Sequence, residues 1–224
     1  MKILEEIEKG IIIEIRDVKQ AINVNEFANA VLIRKFDLEL IEETKEAISI
    51  PIIASCKIGH FVEAKLLEKV GVAMIDESNE SDMQHMNKKE FSIPFMCKVK
   101  NAEEIKERVK EGAKAIRTEF GDIGRSINII KEMKNVMPTF TSASIPSFIP
   151  SLRIATPADI SLLFKIGCHS IIISSDLFRS PNPPKLLEAL AKAARYYNEI
   201  DKIFSFSKTI NKIIPKTNER VNND

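Results

Sequence analysis

The sequence predicts an α/β chain of the (β/α)8 TIM-barrel class, in a shortened version, on three observations. Short β-branched runs alternate with amphipathic helical patterns along almost the whole chain. That alternation has few interruptions, the signature of a parallel sheet with crossover helices. The length of 224 residues lies in the range over which such a barrel forms one domain.

The elements follow in order. Gly10–Ile15 (GIIIEI) reads as the first strand, Ala30–Ile33 as the second and Ile50–Ala54 as the third. Val72–Ile75, Ile93–Cys97, Ala113–Ile116 and Ser170–Ile173 supply further strands by the same criterion. Between Ala102 and Glu111, Ile105 and Val109 stand four apart on one face with charges elsewhere, which predicts a crossover helix. A late helix opens at Pro183–Pro184 and carries Leu186, Leu187, Leu190 and Ala194 on its apolar side. Residues 137–155 (MPTFTSASIPSFIPSLRIA) fit a strand poorly, because Pro138, Pro146 and Pro150 each remove a ladder donor. With a strand there the sheet closes as an eight-stranded barrel; without it the barrel is open or distorted. Residues 1–214 are expected to form one barrel domain and 215–224 a polar, disordered tail.

Composition narrows the function classes. The formal charge is +1, and no Arg/Lys stripe is interleaved with aromatics, which argues against a nucleic-acid partner. No apolar run approaches the roughly 18 residues of a spanning helix, and MKILEEIEKG is too acidic for a signal peptide, so no membrane partner is expected. Cys56, Cys97 and Cys168 are scattered without a CxxC pair, as reduced thiols in a cytoplasmic protein would be. His85 and His169 have no metal-ligand spacing, and neither a metal nor a cofactor is expected. His60 follows a glycine at a helix start, where capping and packing explain it better than base catalysis.

Residues 58–78 read IGHFVEAKLLEKVGVAMIDES, and 85–97 read HMNKKEFSIPFMC. With Ala155–Asp159 (ATPAD) and Phe178–Pro183 (FRSPNP), they resemble the synthase subunit of pyridoxal 5'-phosphate synthase, the PdxS/Snz family of vitamin B6 biosynthesis. The matches run in order from about Lys9 to Lys212. Against the family, material is missing around Arg34 to Asp37, near Val136 to Pro146, and from most of the N-terminal helix.

The resemblance implies a site that this chain has altered. The family's carboxylate at the end of strand one corresponds to Glu14, one methylene longer; a charged residue making an ion pair at the barrel mouth is the alternative reading. Ser55 stands where the family has its substrate-binding lysine, and serine has no amine to form a Schiff base. Lys57, two residues on, would share the face of Ser55 in a regular strand. The family's second lysine follows an Arg-Thr pair; here Arg117-Thr118 is followed by Glu119. Leu152-Arg153 and Ser174-Ser175-Asp176 replace glycine-rich phosphate loops, although Arg153 could grip an anion. Gly121 and Gly124 are remnants of the glycine-rich loop after strand six, and Lys134 falls where the family has an arginine for the triose phosphate. Asp76 and Glu77 keep the family's acids at the end of strand four.

Three functions are compatible with these residues. One is a non-catalytic paralogue that co-assembles with an active PdxS-type subunit, in keeping with the family's rings of barrels; Ser55 and Glu119 favour it. A second is a working synthase combining ribose 5-phosphate, glyceraldehyde 3-phosphate and ammonia from a glutaminase. The missing N-terminal helix argues against that glutaminase partner. The third is a repurposed barrel that binds another anionic metabolite through Arg153 and Lys57. A homo- or hetero-oligomer is expected.

Overall fold

A computed structural model describes residues 2–136, 138, 140 and 145–210. A short helix, α1 (Lys2–Glu6), precedes β1 (Ile11–Ile15), α2 (Val18–Val24), β2 (Ala30–Ile33), α3 (Leu38–Ala47) and β3 (Ile52–Lys57). The chain continues through α4 (Phe61–Val70), β4 (Met74–Asn79), β5 (Phe95–Lys98), α5 (Ala102–Lys110), β6 (Ala115–Arg117) and α6 (Ile123–Val136). It ends with β7 (Ser147–Ile149), β8 (Ser151–Leu152), α7 (Pro157–Lys165), β9 (Ile171–Ile173), α8 (Pro183–Arg195) and α9 (Ile200–Ile210).

The nine strands form one parallel sheet in the order β7-β6-β5-β4-β3-β2-β1-β9-β8. Its two ends are halves of one extended segment. Ser147, Phe148 and Ile149 pair with Ala115, Ile116 and Arg117 of β6, whereas Ser151 and Leu152 pair with Ile172 and Ile173 of β9. Pro150 lies between them; it has no N–H to donate, but its carbonyl accepts from the Ile172 N–H at 2.8 Å. Residues 147–152 therefore act as one interrupted seventh strand, and the (β/α)8 circuit closes. The prolines break the strand without removing it. Residues 137, 139 and 141–144 of the uncertain stretch lie outside the described residues, as does the expected polar tail.

Helix ends follow local side-chain chemistry. Asp17, Asp37, Asn101 and Asn182 each cap a helix with a side-chain oxygen that accepts a backbone N–H. Thr156 and Asp159 form a reciprocal capping box at α7, with Pro157 in its first turn. Helix α4 ends at Gly71, whose φ of 82° is left-handed and suits glycine.

The strands bury two layers. Ile13, Val31, Ala54, Ile75 and Cys97 face the helices, while Ile12, Leu32, Ile53, Met74 and Met96 fill the barrel interior. Ile3 and Ile7 join the interior layer from α1 and its following turn. That turn is pinned by the Lys9 N–H donating to the His169 carbonyl at 2.7 Å and by His169 Nε2 lying 2.7 Å from the Leu4 carbonyl.

At the end of α4, Glu68 joins helix to loop. Its carboxylate accepts from Lys65 Nζ at 2.9 Å and from the Ser92 N–H and Oγ at 2.6 and 2.7 Å. The Lys65 bond, followed by those of Ser92, lowers its pKa from 4.5 to about 2. A carboxylate depressed on folding stabilises the fold above its unfolded pKa and loses that contribution as pH falls through the folded value. Glu68→Gln should cost on the order of 1 kcal/mol near neutral pH in urea unfolding. The gap to the parent should narrow as the titration moves from about pH 5 to pH 2.

Candidate functional site

The C-terminal ends of the strands carry a buried polar layer above the apolar interior. Strand alternation places Glu14 above Ile12, Ser55 above Ile53, Asp76 above Met74 and Arg117 above Ala115 on the barrel side. Asp76 is fully buried and is the centre of the layer. Its Oδ2 accepts from Ser55 Oγ at 2.7 Å, and its Oδ1 accepts from Arg117 Nε at 3.0 Å and from the Ser78 hydroxyl. Arg117, 1% exposed, also donates to the Thr118 carbonyl at 2.9 Å and lies 5.7 Å from the Phe120 ring.

The loops after the seventh and last strands contain backbone donors of the sort that bind phosphate, but these are already engaged. Glu14 Oε2 accepts from the Ser175 N–H at 2.9 Å and from Ser175 Oγ at 3.1 Å. Its other oxygen is 3.6 Å from Arg34 Nη1, so Glu14 does make an ion pair at the mouth. The Asp176 N–H donates to Ser174 Oγ at 3.1 Å, and the Ser174 N–H to the Leu152 carbonyl at 2.9 Å. The Gly121 N–H donates to the Ser151 carbonyl at 3.2 Å, and the Gly121 carbonyl accepts from the Arg153 N–H at 3.1 Å. Carboxylate, hydroxyl and carbonyl oxygens thus occupy these five backbone N–H groups, which are of the kind that an anion would use.

Other residues singled out from sequence lie away from this layer. The ladder shifts register between Cys56 and Lys57, and the Lys57 amine sits 3.7 Å from Glu63 Oε1 on α4. The expectation that Lys57 shares the face of Ser55 fails because the irregularity turns it outward. Glu119 is on the rim, half exposed and 3.3 Å from Arg125 Nη1. Arg153 is exposed and held by Asp176, with Nε 3.4 Å from Oδ2, so its grip is already taken by a carboxylate. Gly124 lies in the first turn of α6. Lys134 is in the last turn of that helix, about 16 Å along it at 1.5 Å per residue, and is exposed. It lies near Cys168 in the turn before β9, at the end of the barrel opposite the mouth. His60 caps α4, its Nδ1 accepting from the Glu63 N–H at 3.2 Å.

Two features escaped the sequence. Lys98 ends β5 with Met96 in the barrel interior and Cys97 and Val99 in the outer layer, so alternation turns it to the barrel side. Its side chain is 11% exposed, and its amine pairs with Glu80, lowering the pKa of that carboxylate. Extending the fifth strand by one residue beyond Cys97 would have revealed it. On the outer side, Glu77, His85 and Cys97 bring three ligand atoms within 4.8 Å of one another. The fully buried Glu77 carboxylate there lies 2.6 Å from the Lys88 amine and 3.0 Å from His85 Nδ1. Lys88, 2.6 Å from Glu111 as well, already supplies the positive charge that a metal ion would bring.

A closed parallel βα barrel with a charged layer at the C-terminal ends of its strands belongs to the TIM-barrel class. The chain is a member of the SOR/SNZ family, whose sequence model matches residues 2–146. It is 31% identical over 212 positions to a pyridoxal 5'-phosphate synthase subunit PdxS of Clostridium botulinum, covering 79% of this chain and 73% of that one. A PdxS subunit of Syntrophus aciditrophicus is 30% identical over 267 positions, covering 96% and 91%. An alignment longer than the 224-residue chain means that this relative carries insertions which the chain lacks. Among solved structures, a thiamine phosphate pyrophosphorylase from Pyrococcus furiosus superposes with a TM-score of 0.64 at 12% identity, over 84% of this chain and 95% of that one, a likeness of fold. Among the described residues no helix is long and apolar enough to cross a membrane.

Removing the Asp76 carboxylate would strand Arg117 in the interior. Asp76→Ala should cost about 3–5 kcal/mol in urea unfolding, and Ser55→Ala about 1 kcal/mol. A loss below about 1 kcal/mol for Asp76→Ala would mean that the pair does not form. Burial raises the pKa of all three thiols, that of Cys168 to about 12. A chromogenic disulfide reagent at pH 8 should therefore titrate them only after denaturation.

Proposed function

We propose that this chain is a PdxS-like protein of the vitamin B6 pathway that does not itself make pyridoxal 5'-phosphate. It acts as a non-catalytic paralogue that assembles with an active subunit of the same family. The observation that carries this reading is the Ser55 hydroxyl bonded at 2.7 Å to Asp76, at the place where the family resemblance puts an imine-forming amine. Glu119, at the second such place, is a rim carboxylate paired with Arg125. Glu14, engaged with Ser175, adds to this by filling donors that a sugar phosphate would require. The buried, unpaired thiols support a reducing, cytoplasmic setting.

An active synthase using ribose 5-phosphate, glyceraldehyde 3-phosphate and glutaminase-derived ammonia is the competing reading. It requires a lysine relay, and neither Ser55 nor Glu119 supplies one. Binding of another anion through Arg153 and Lys57 is disfavoured by their pairing with Asp176 and Glu63.

Incubation of the purified chain with ribose 5-phosphate, glyceraldehyde 3-phosphate and ammonium should give no pyridoxal 5'-phosphate absorbance above the protein-free control. Product formation would overturn the proposal. Co-expression with an active synthase subunit should yield a mixed complex by affinity capture and native mass spectrometry. Homogeneous complexes of the active subunit alone would exclude the paralogue role.

A further inference from the structure

We propose that Phe120 is a built-in lid over the barrel mouth, shutting small solutes out of the polar layer around Asp76. The inference goes beyond the missing amines and does not rest on them. Their loss removes a reaction, whereas a lid removes the space for any ligand.

The place of the ring follows from its partners. Phe120 stands just beyond β6, yet its half-buried ring packs against the apolar interior of the barrel. The guanidinium of Arg34, which stands just beyond β2, lies 5.2 Å from the ring centroid. With β7 and β8 counted as one strand, β2 and β6 are opposite each other in the eight-strand circuit. A ring that starts from one side and meets a guanidinium from the other spans the opening between them. Leu4 and Ala73, the other half-buried residues packed on the interior, belong to the far end, in α1 and just before β4. Among the described residues Phe120 is therefore the apolar cover on the mouth side.

Three contacts hold this cover in place. The Arg117 guanidinium lies 5.7 Å from the centroid and is itself paired with Asp76. Arg34 is tied to Glu14 at 3.6 Å. Both guanidiniums are within reach of cation-π attraction, which strengthens where water is excluded. The residue after the ring is clamped to the seventh strand, because the Gly121 N–H donates to the Ser151 carbonyl and the Gly121 carbonyl accepts from the Arg153 N–H. The sheet thus sets the course of the chain at Phe120, and two cations, each tied to a buried carboxylate, set the ring. Ser55, Asp76 and Arg117 are each at most 1% exposed, as a covered layer requires.

The test is chemical access to that layer. Ser55→Cys places a thiol next to Asp76; the full chain is treated with iodoacetamide at pH 8, and alkylation is located by peptide mass spectrometry. The introduced thiol is expected to stay unmodified in the folded chain, like Cys56, Cys97 and Cys168. Adding Phe120→Ala should raise its alkylation rate at least about 10-fold while the three native thiols remain protected. Adding Phe120→Tyr instead keeps a ring between the guanidiniums and should leave it protected. If Phe120→Ala melts too low for the assay, Phe120→Val makes the same comparison. Rapid alkylation of the introduced thiol with Phe120 in place would overturn the proposal. So would an unchanged rate after truncation, or a rise shared by the native thiols, which would report general loosening and not an opened mouth. Cofactor synthesis is read separately by its absorbance, so either idea can fail while the other stands.

Discussion

The buried carboxylate of Asp76 is the constraint around which the mouth of this barrel is organised. A charge removed from water is tolerated only if its oxygens are saturated by donors and its sign is balanced. Here Arg117 supplies the opposite charge from β6, Ser55 a hydroxyl from β3 and Ser78 a second hydroxyl from the same strand as Asp76. The network joins strands on both sides of β4, so register and electrostatics reinforce each other. A primary amine at position 55 would be a second cation competing for the same carboxylate. With serine there, Arg117 is paired with Asp76 and that pair is neutral as it stands.

The same self-sufficiency recurs where the last strand turns into the 3-10 helix Ser175–Arg179. Glu14 acts there as an internal anion, accepting the N–H and hydroxyl of Ser175. The extra methylene of glutamate relative to aspartate gives the carboxylate more reach across from β1. Ser55, Glu119 and Ser175 are thus all satisfied within the protein, by Asp76, Arg125 and Glu14 respectively. Lys98, on the barrel side, ends the fifth strand one residue beyond the stretch 85–97 that carries part of the family resemblance.

Strands β1 to β6 and β9 were legible because continuous Ile, Val and Ala runs leave few alternatives to a strand covered on both faces. The seventh was obscured by Pro146 and Pro150, since sequence rules count the lost donor but cannot see that the Pro150 carbonyl still reaches Ile172. The family resemblance marked Glu14, Ser55 and Asp76, and the structure brings them to one face. Alternation misplaced Lys57, because a register shift at the end of a strand depends on how β4 continues to Asn79, a tertiary matter. Lys98 went unnoticed for the opposite reason: the apolar run stops at Cys97 while the ladder goes on one residue further. The cluster of Glu77, Lys88 and Glu111 joins residues far apart in sequence, and no local spacing announces it.

At the other end, Ile3 and Ile7 stopper the barrel from below, and His169 and Lys9 fasten the stopper to the frame. With apolar side chains packed through the barrel above it, that plug gives the charged layer a solid floor and no channel beneath it, so the layer meets solvent from the rim where Arg34 stands.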